Sequence, residues 1–174
     1  MIDFKAVLEN ELVHIRPLQA DDFDALFRIS SDPLLWEQHP AKERSTPEGF
    51  QKWFEEAMTT DKALFITDKV TGKAVGTSRY NEVKDDQTAI EIGWTFLGRE
   101  FWGGKYNQAI KKLMMEHAFT AYPILLFFVD KHNFRSQKAV EKLGGRRISE
   151  LNGQPLGPRT TASFVYRIDR PQLT

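Results

Sequence analysis

Cysteine is absent from the 174 residues, so disulfides, thiolate metal ligands and a thiol nucleophile are excluded from the start. No apolar run reaches the ~18 residues of a membrane-spanning helix. The opening Met1-Ile2-Asp3-Phe4-Lys5 carries an acid and lacks the basic-then-apolar order of a secretory signal. Charge of one sign is missing too: 24 Lys plus Arg balance 24 Asp plus Glu, leaving no long-range field to gather polyanions, whereas nucleic-acid binders usually carry a basic surplus. These absences predict a cytoplasmic protein with neither nucleic-acid nor membrane partners. No linker, fixed-period repeat or low-complexity tract divides the chain, so a single domain over 1–174 is expected. What is present, 41% hydrophobic and 28% charged residues, is the balance of a globular fold.

Periodicity sets the order of elements. Leu12–Arg16 before Pro17 reads as an opening strand, and Asp21 and Asp22 are caps for a helix carrying Phe23, Leu26, Phe27 and Ile29. Pro33, Pro40 and Pro47 punctuate a stretch of short helices, the last starting at Thr46-Pro47-Glu48. From Ala63 the pattern becomes a meander of strands, 63–68, 74–83 and 88–97, with a turn at Val70–Lys73 and a polar loop through Asp85-Asp86. Gly103-Gly104 opens a helix over 105–119, and the apolar run Ile124–Val129 reads as a buried strand. Strand, helix and strand over 88–129 make a right-handed crossover with two parallel strands, so the sheet is expected to be mixed. A helix over 133–143 ends at Gly144-Gly145, and strands at 147–151 and 163–168 close the chain around a Gly/Pro loop. The fold class is therefore α+β.

Two segments carry chemistry. In Trp102-Gly103-Gly104-Lys105-Tyr106-Asn107, paired glycines before a helix let successive N–H groups face one anion, and Lys105 adds a charge. The segment lacks the Gly-Lys-Ser/Thr of a P-loop and the Gly-x-Gly-x-x-Gly of a dinucleotide site. The second segment, Asn133-Phe134-Arg135-Ser136 running to Glu141-Lys142-Leu143-Gly144, begins with an Asn suited to capping and ends on glycine.

Together with Ile15-Arg16-Pro17-Leu18 and Ile90-Glu91-Ile92-Gly93-Trp94, these segments resemble the GNAT superfamily of acyl-CoA-dependent N-acetyltransferases across nearly the whole chain. Within it they are most similar to the branch of ribosomal-protein N-terminal acetyltransferases. The resemblance implies a central mixed, mostly antiparallel sheet of about six or seven strands, flanked by about four helices on both faces. It implies acetyl-CoA as cosubstrate, an amine as acceptor and a monomer or homodimer. The loop Trp102–Asn107 matches the family's pyrophosphate loop with substitutions: Trp102 at its first position, Lys105 where a Gly is usual, Asn107 in place of a small residue. Asn133 matches the Asn that contacts the CoA arm, Ser136 the serine three residues on, and Val140 stands where many members carry a Tyr that protonates the departing thiolate.

An alkyl amine is mostly protonated at neutral pH and needs a base before it can attack a thioester. Glu91 is the candidate, because strict alternation places it opposite a stripe of Ile90, Ile92, Trp94 and Phe96. Backbone N–H groups around Phe96 and Leu97 are candidates for holding the oxyanion. With no Tyr at position 140, Ser136 or water is the expected acid, since a thiol of pKa about 8.5 leaves readily. Trp36, His39, Trp53 and Phe54 fall in the segment that lines the acceptor cleft in the resembling family, although aromatic residues of this kind more often belong to a core. Of Arg79 and Tyr80, which alternate on a strand, one is expected to face that cleft. His14, His117 and His132 show no metal-ligand spacing, so no metal is expected, and the pairs Lys111-Lys112 and Arg146-Arg147 read as solvated faces, either one a candidate for the adenosine phosphate. A non-catalytic CoA-binding module of the same fold is the alternative, favoured by the substitutions at Trp102, Lys105, Asn107 and Val140.

Overall fold

Period-two apolar residues fold the first half of the chain into antiparallel strands, with short polar turns joining all but one neighbouring pair. The computed structural model describes residues 2–84 and 86–172, so Asp85 of the polar loop lies outside the described residues. Strands β1 (Leu8–Glu9), β2 (Val13–Pro17), β3 (Ala63–Asp68), β4 (Ala74–Glu82) and β5 (Ala89–Leu97) pair in that order. Beyond β5 come β6 (Ile124–Asp130), β10 (Ser163–Asp169) and β7 (Arg146–Ile148), completing an eight-stranded sheet. Only β5 and β6 are parallel, joined by the crossover helix α3 (Lys105–Phe119). The mixed sheet is as expected, with two differences: the two-residue β1 adds an eighth strand to the six or seven expected, and 147–151 is not one strand. The chain leaves β7 and forms a separate hairpin, β8 (Glu150–Leu151) with β9 (Gln154–Pro155).

Helices cover both faces. On one side lie α1 (Phe23–Ser30) and α2 (Pro47–Thr59), the latter started by the Thr46 hydroxyl accepting from the Gly49 N–H with Pro47 in the first turn. Their Phe50, Trp53 and Phe54 pack with Phe23, Phe27, Trp36 and Phe96 into an aromatic cluster, each such pair adding ~0.5–1.5 kcal/mol beyond area burial. Asp22 does not cap α1 with its side chain. Its carboxylate accepts from the Gln19 N–H and takes Arg16 bidentately at 2.8 and 2.6 Å, tying β2 to the helix start. On the other face, α3 sets Ile110, Met114 and Ala118 against Ile15, Leu64, Ile66, Ile90, Ile92 and Leu125, and α4 (Phe134–Lys142) adds Val140 to this core.

One irregularity shapes the cleft. Between Thr77/Phe96 and Arg79/Gly93 the β4–β5 register slips, setting Trp94 and Thr95 opposite Ser78, and Trp94 adopts φ 51°. This bulge reverses the alternation. Ile90 and Ile92 face α3 as expected, yet Phe96 lies on the opposite face against Trp36 and Trp53, and Trp94 stacks on Arg79. The expected single stripe of Ile90, Ile92, Trp94 and Phe96 is therefore corrected: it breaks after Ile92.

Candidate active site

Pairing of the two parallel strands stops after three residues, Ala89–Glu91 against Ile124–Leu126. Past that point β5 and β6 diverge, and the fork between Ile92–Leu97 and Phe127–Asp130 opens a cavity of about 440 Å³. The fork exists because β5 bends at its bulge toward β4, while β6 stays fully paired to β10 along Ile124–Asp130. A wider depression of about 590 Å³ runs along β7 and β10 beneath Arg147 and Lys131. The fork is the better site because convergent polar groups from four elements meet there.

At one end of the fork lie Trp102, Gly103, Gly104 and Asn107. Gly103 and Gly104 have φ 104° and 101°, a region L side chains rarely adopt, and a Cβ on Gly103 would meet nothing within 4 Å. Gly104 gives α3 no side-chain cap, so the first N–H groups of the helix open on the cavity. Lys105 does not line the cavity. Tyr106, expected to face the cofactor, is turned away: its hydroxyl donates to Asp68 at 2.6 Å and its ring packs on Phe101. Trp102 donates from Nε1 to the Leu97 carbonyl and stacks under the Arg135 guanidinium at 3.9 Å, while Arg135 donates to the Leu35 carbonyl. This stack bridges the fork from β5 to α4.

Along the α4 wall stand Asn133, Ser136 and Val140. The Asn133 Oδ1 accepts from the Ser136 N–H and caps α4, a role its spacing already suggests, and its Nδ2 has no protein partner among the described residues. On the α1–α2 side the cavity meets Trp36, His39 and Arg44, with Phe96 and Leu97 forming its β5 wall. The Trp36 Nε1 donates to the Ser30 carbonyl, fixing the ring. His39 accepts the Ala41 N–H at Nδ1, and burial, followed by the nearby Arg44 charge, pushes its pKa down to about 4.

The expected base occupies a different situation. Glu91 is 2% exposed, does not line the fork, and has both oxygens held by Arg159 at 2.8 Å, with the Asn81 amide donating to Oε2 at 3.1 Å. Arg159, from the loop after β9, lies over Phe128 and Trp94. To take a proton, Glu91 must first shed Arg159. Arg79 shares the Glu91 face, stacks on Trp94 at 3.7 Å and reaches Glu56, while its buried Nε has no partner among the described residues. Tyr80 is not at the cleft. It lies in the α3-side core, where its hydroxyl donates to the Met114 carbonyl and burial raises its pKa.

Several residues of the site escape pattern reading. Arg135 and Arg159 act across long sequence separations that leave no local signal. Lys111, expected on a solvated face, is 4% exposed and reaches the cavity, donating to Thr95 Oγ1 at 2.6 Å and to Ser78 Oγ at 3.0 Å. Desolvation lowers its pKa to about 7. Its position one after buried Ile110 is the available signal; pairing it with exposed Lys112 obscures it.

A family model described as an acetyltransferase (GNAT) domain matches residues 13–146. The chain belongs to the GNAT family of acetyltransferases. With membership comes the family's general chemistry, acyl transfer from acetyl-CoA. Solved structures of the same fold include a GCN5-related N-acetyltransferase from Brucella melitensis, 20% identical, with a TM-score of 0.74 over 95% of this chain and 79% of that one. An acetyltransferase from Agrobacterium tumefaciens is 22% identical, with a TM-score of 0.70 over 95% of each chain. A ribosomal-protein-S5-alanine acetyltransferase from Vibrio fischeri is 18% identical, with a TM-score of 0.63 over 94% of this chain and 96% of that one. At these identities the likeness is one of fold.

Proposed function

We propose that the protein moves the acetyl group of acetyl-CoA to a primary amine, a protein N-terminus or a small molecule, by direct attack with both substrates bound. The fork between β5 and β6 carries this reading. It is a slot edged by unpaired backbone, with an uncapped helix start and two left-handed glycines at one end. In this reading Gly103, Gly104 and Asn107 receive the pyrophosphate, and Asn133 and Ser136 flank the pantetheine arm. Backbone N–H groups of β5 around the bulge to Leu97 supply the oxyanion donors. The acceptor approaches from the opposite face, past Trp36, His39, Trp94 and Arg79. A ribosomal-protein-like N-terminus is the nearest acceptor class, as the sequence resemblance implies.

Glu91 is the proposed base. Its carboxylate sits two residues before the bulge on the acceptor face, and Arg159, on a loop and half exposed, is the group that must swing aside. The same clamp is the observation that favours the second reading, a CoA-binding module without turnover, because a permanently paired Glu91 takes no proton.

Calorimetric titration with acetyl-CoA, followed by thiol release over a panel of amines and N-terminal peptides, separates the two. The enzyme binds with micromolar affinity and releases thiol only with amine. Glu91→Gln then loses about 100-fold in kcat while its CoA affinity stays within twofold. Binding without release under every acceptor supports the module, and absence of binding overturns both.

A further inference from the structure

Resting on the acetyltransferase reading, we propose that Lys111 is the proton donor to the departing CoA thiolate. Its amino group lies at the fork and is bound only by two hydroxyls, Thr95 at 2.6 Å and Ser78 at 3.0 Å, on the two strands that form the bulge. No carboxylate pairs with it among the described residues. A buried ammonium lacking a counter-ion is costly, so a structural role alone does not account for a lysine here; methionine would fill the volume without the desolvation cost.

The chemistry of the leaving group explains the residue. Attack by the amine nitrogen forms the N–C bond and breaks the thioester C–S bond, whose electron pair stays on sulfur. The nitrogen gives its proton to Glu91, and the sulfur takes one from the Lys111 ammonium. Neutral Lys111 is recharged from water in the open cavity, so the net transfer is one proton from amine to thiol. Desolvation brings Lys111 to about 7, below the ~8.5 of a free thiol, so the transfer runs downhill and the acid is still part-charged at neutral pH. Ser136, the acid expected from the sequence, is a weaker acid than the thiol it would protonate, and Val140 holds no proton to give.

No acid or base on the packed elements perturbs this amine. From β4 it meets Ser78, from β5 Thr95, and the strands beneath α3 present Ile92, Leu125 and Phe127. The titratable and charged groups lining the same cavity are His39, Arg44, Asp130, Arg135, Lys138 and Lys142. Glu91 lies on the other face of the sheet.

The test compares Lys111→Met and Lys111→Arg with the wild type in amine-dependent thiol release from pH 6 to 10, with CoA affinity measured alongside. Lys111→Met is expected to lose about 10- to 100-fold in kcat, to keep its CoA affinity within twofold, and to lose the alkaline fall of the wild-type profile. Lys111→Arg, whose proton is not released in this range, is expected to be as slow. Thr95→Val, which keeps the amine but removes its closest acceptor, moves the alkaline limb to lower pH. Wild-type kcat and an unchanged alkaline limb in Lys111→Met overturn the assignment, and full recovery in Lys111→Arg overturns it in favour of a fixed charge. A wild type that releases no thiol with any amine overturns the acetyltransferase reading itself, and Lys111 with it.

Discussion

Burial lowers the proton affinity of two side chains near the fork, and a third side chain is fixed in place by its partners. Burial brings Lys111 down to about 7, burial and the Arg44 charge bring His39 down to about 4, and Arg159 and Asn81 enclose the Glu91 carboxylate. The His39 case carries a pH dependence whose sign is fixed. Above pH 6.5 the ring is neutral in both folded and unfolded chains and adds nothing. Below it the unfolded chain gains a proton that the folded chain refuses until about pH 4, so stability falls across that window by about 3 kcal/mol. Protonation at Nδ1 would also break the bond from the Ala41 N–H. Urea unfolding of His39→Gln from pH 7 to 4 is expected to show a shallower loss of stability than the wild type, and equal slopes would remove His39 from the account.

At the scale of elements, the bulge in β5 depends on how close β4 can come. Gly76, at φ 156°, sits opposite Leu97, and a Cβ there would lie 2.0 Å from the Phe96 carbonyl oxygen. That atom is backbone and cannot rotate away. Gly76→Ala is therefore expected to destabilise by about 3 kcal/mol or more, read from denaturant midpoints, and to weaken CoA binding because the displaced residues form the fork wall. The same region shows where sequence reading reaches its limit. The strands of the meander, the crossover, the Thr46-Pro47 helix start and the Asn133 cap all follow from local chemistry, and the structure has each of them. Strict alternation fails at Trp94 because a bulge inserts one residue there, and its one local signal, Gly93, reads equally well as part of a regular strand. Tyr106 reads as part of the loop it follows, although Asp68, 38 residues away, claims its hydroxyl. Glu91 is legible as a strand carboxylate, whereas its partner Arg159 lies 68 residues later on a loop whose position no periodicity encodes.

For the whole molecule, the sheet is two packed halves. Strands β1 to β5 carry α1, α2 and most of α3, while β6, β10 and β7 carry α4 and the β8–β9 hairpin. Between them the ladder contributes only three residue pairs, leaving α3 and the shared core to hold the halves together. A ligand seated in the fork therefore contacts both halves and binds the folded chain alone. At 100 times its dissociation constant, acetyl-CoA is expected to add about 2.7 kcal/mol, raising the melting temperature by roughly 5–10 °C for a domain of this size. A thermal scan with and without acetyl-CoA checks this, and no shift would mean that the fork does not bind it.

An open strand edge normally invites a neighbouring polypeptide, and proteins guard such edges with charge, proline or a covering loop. Here two edges face each other inside the molecule, across a slot bridged by Trp102 and Arg135. A peptide strand brings side chains on both faces, whereas a slender chain of amides without side chains needs less width and would meet hydrogen-bonding groups on both sides. The gap in the ladder thus keeps two hydrogen-bonding edges inside the molecule, where the surrounding walls, and not charge or proline on an exposed rim, limit what can pair with them.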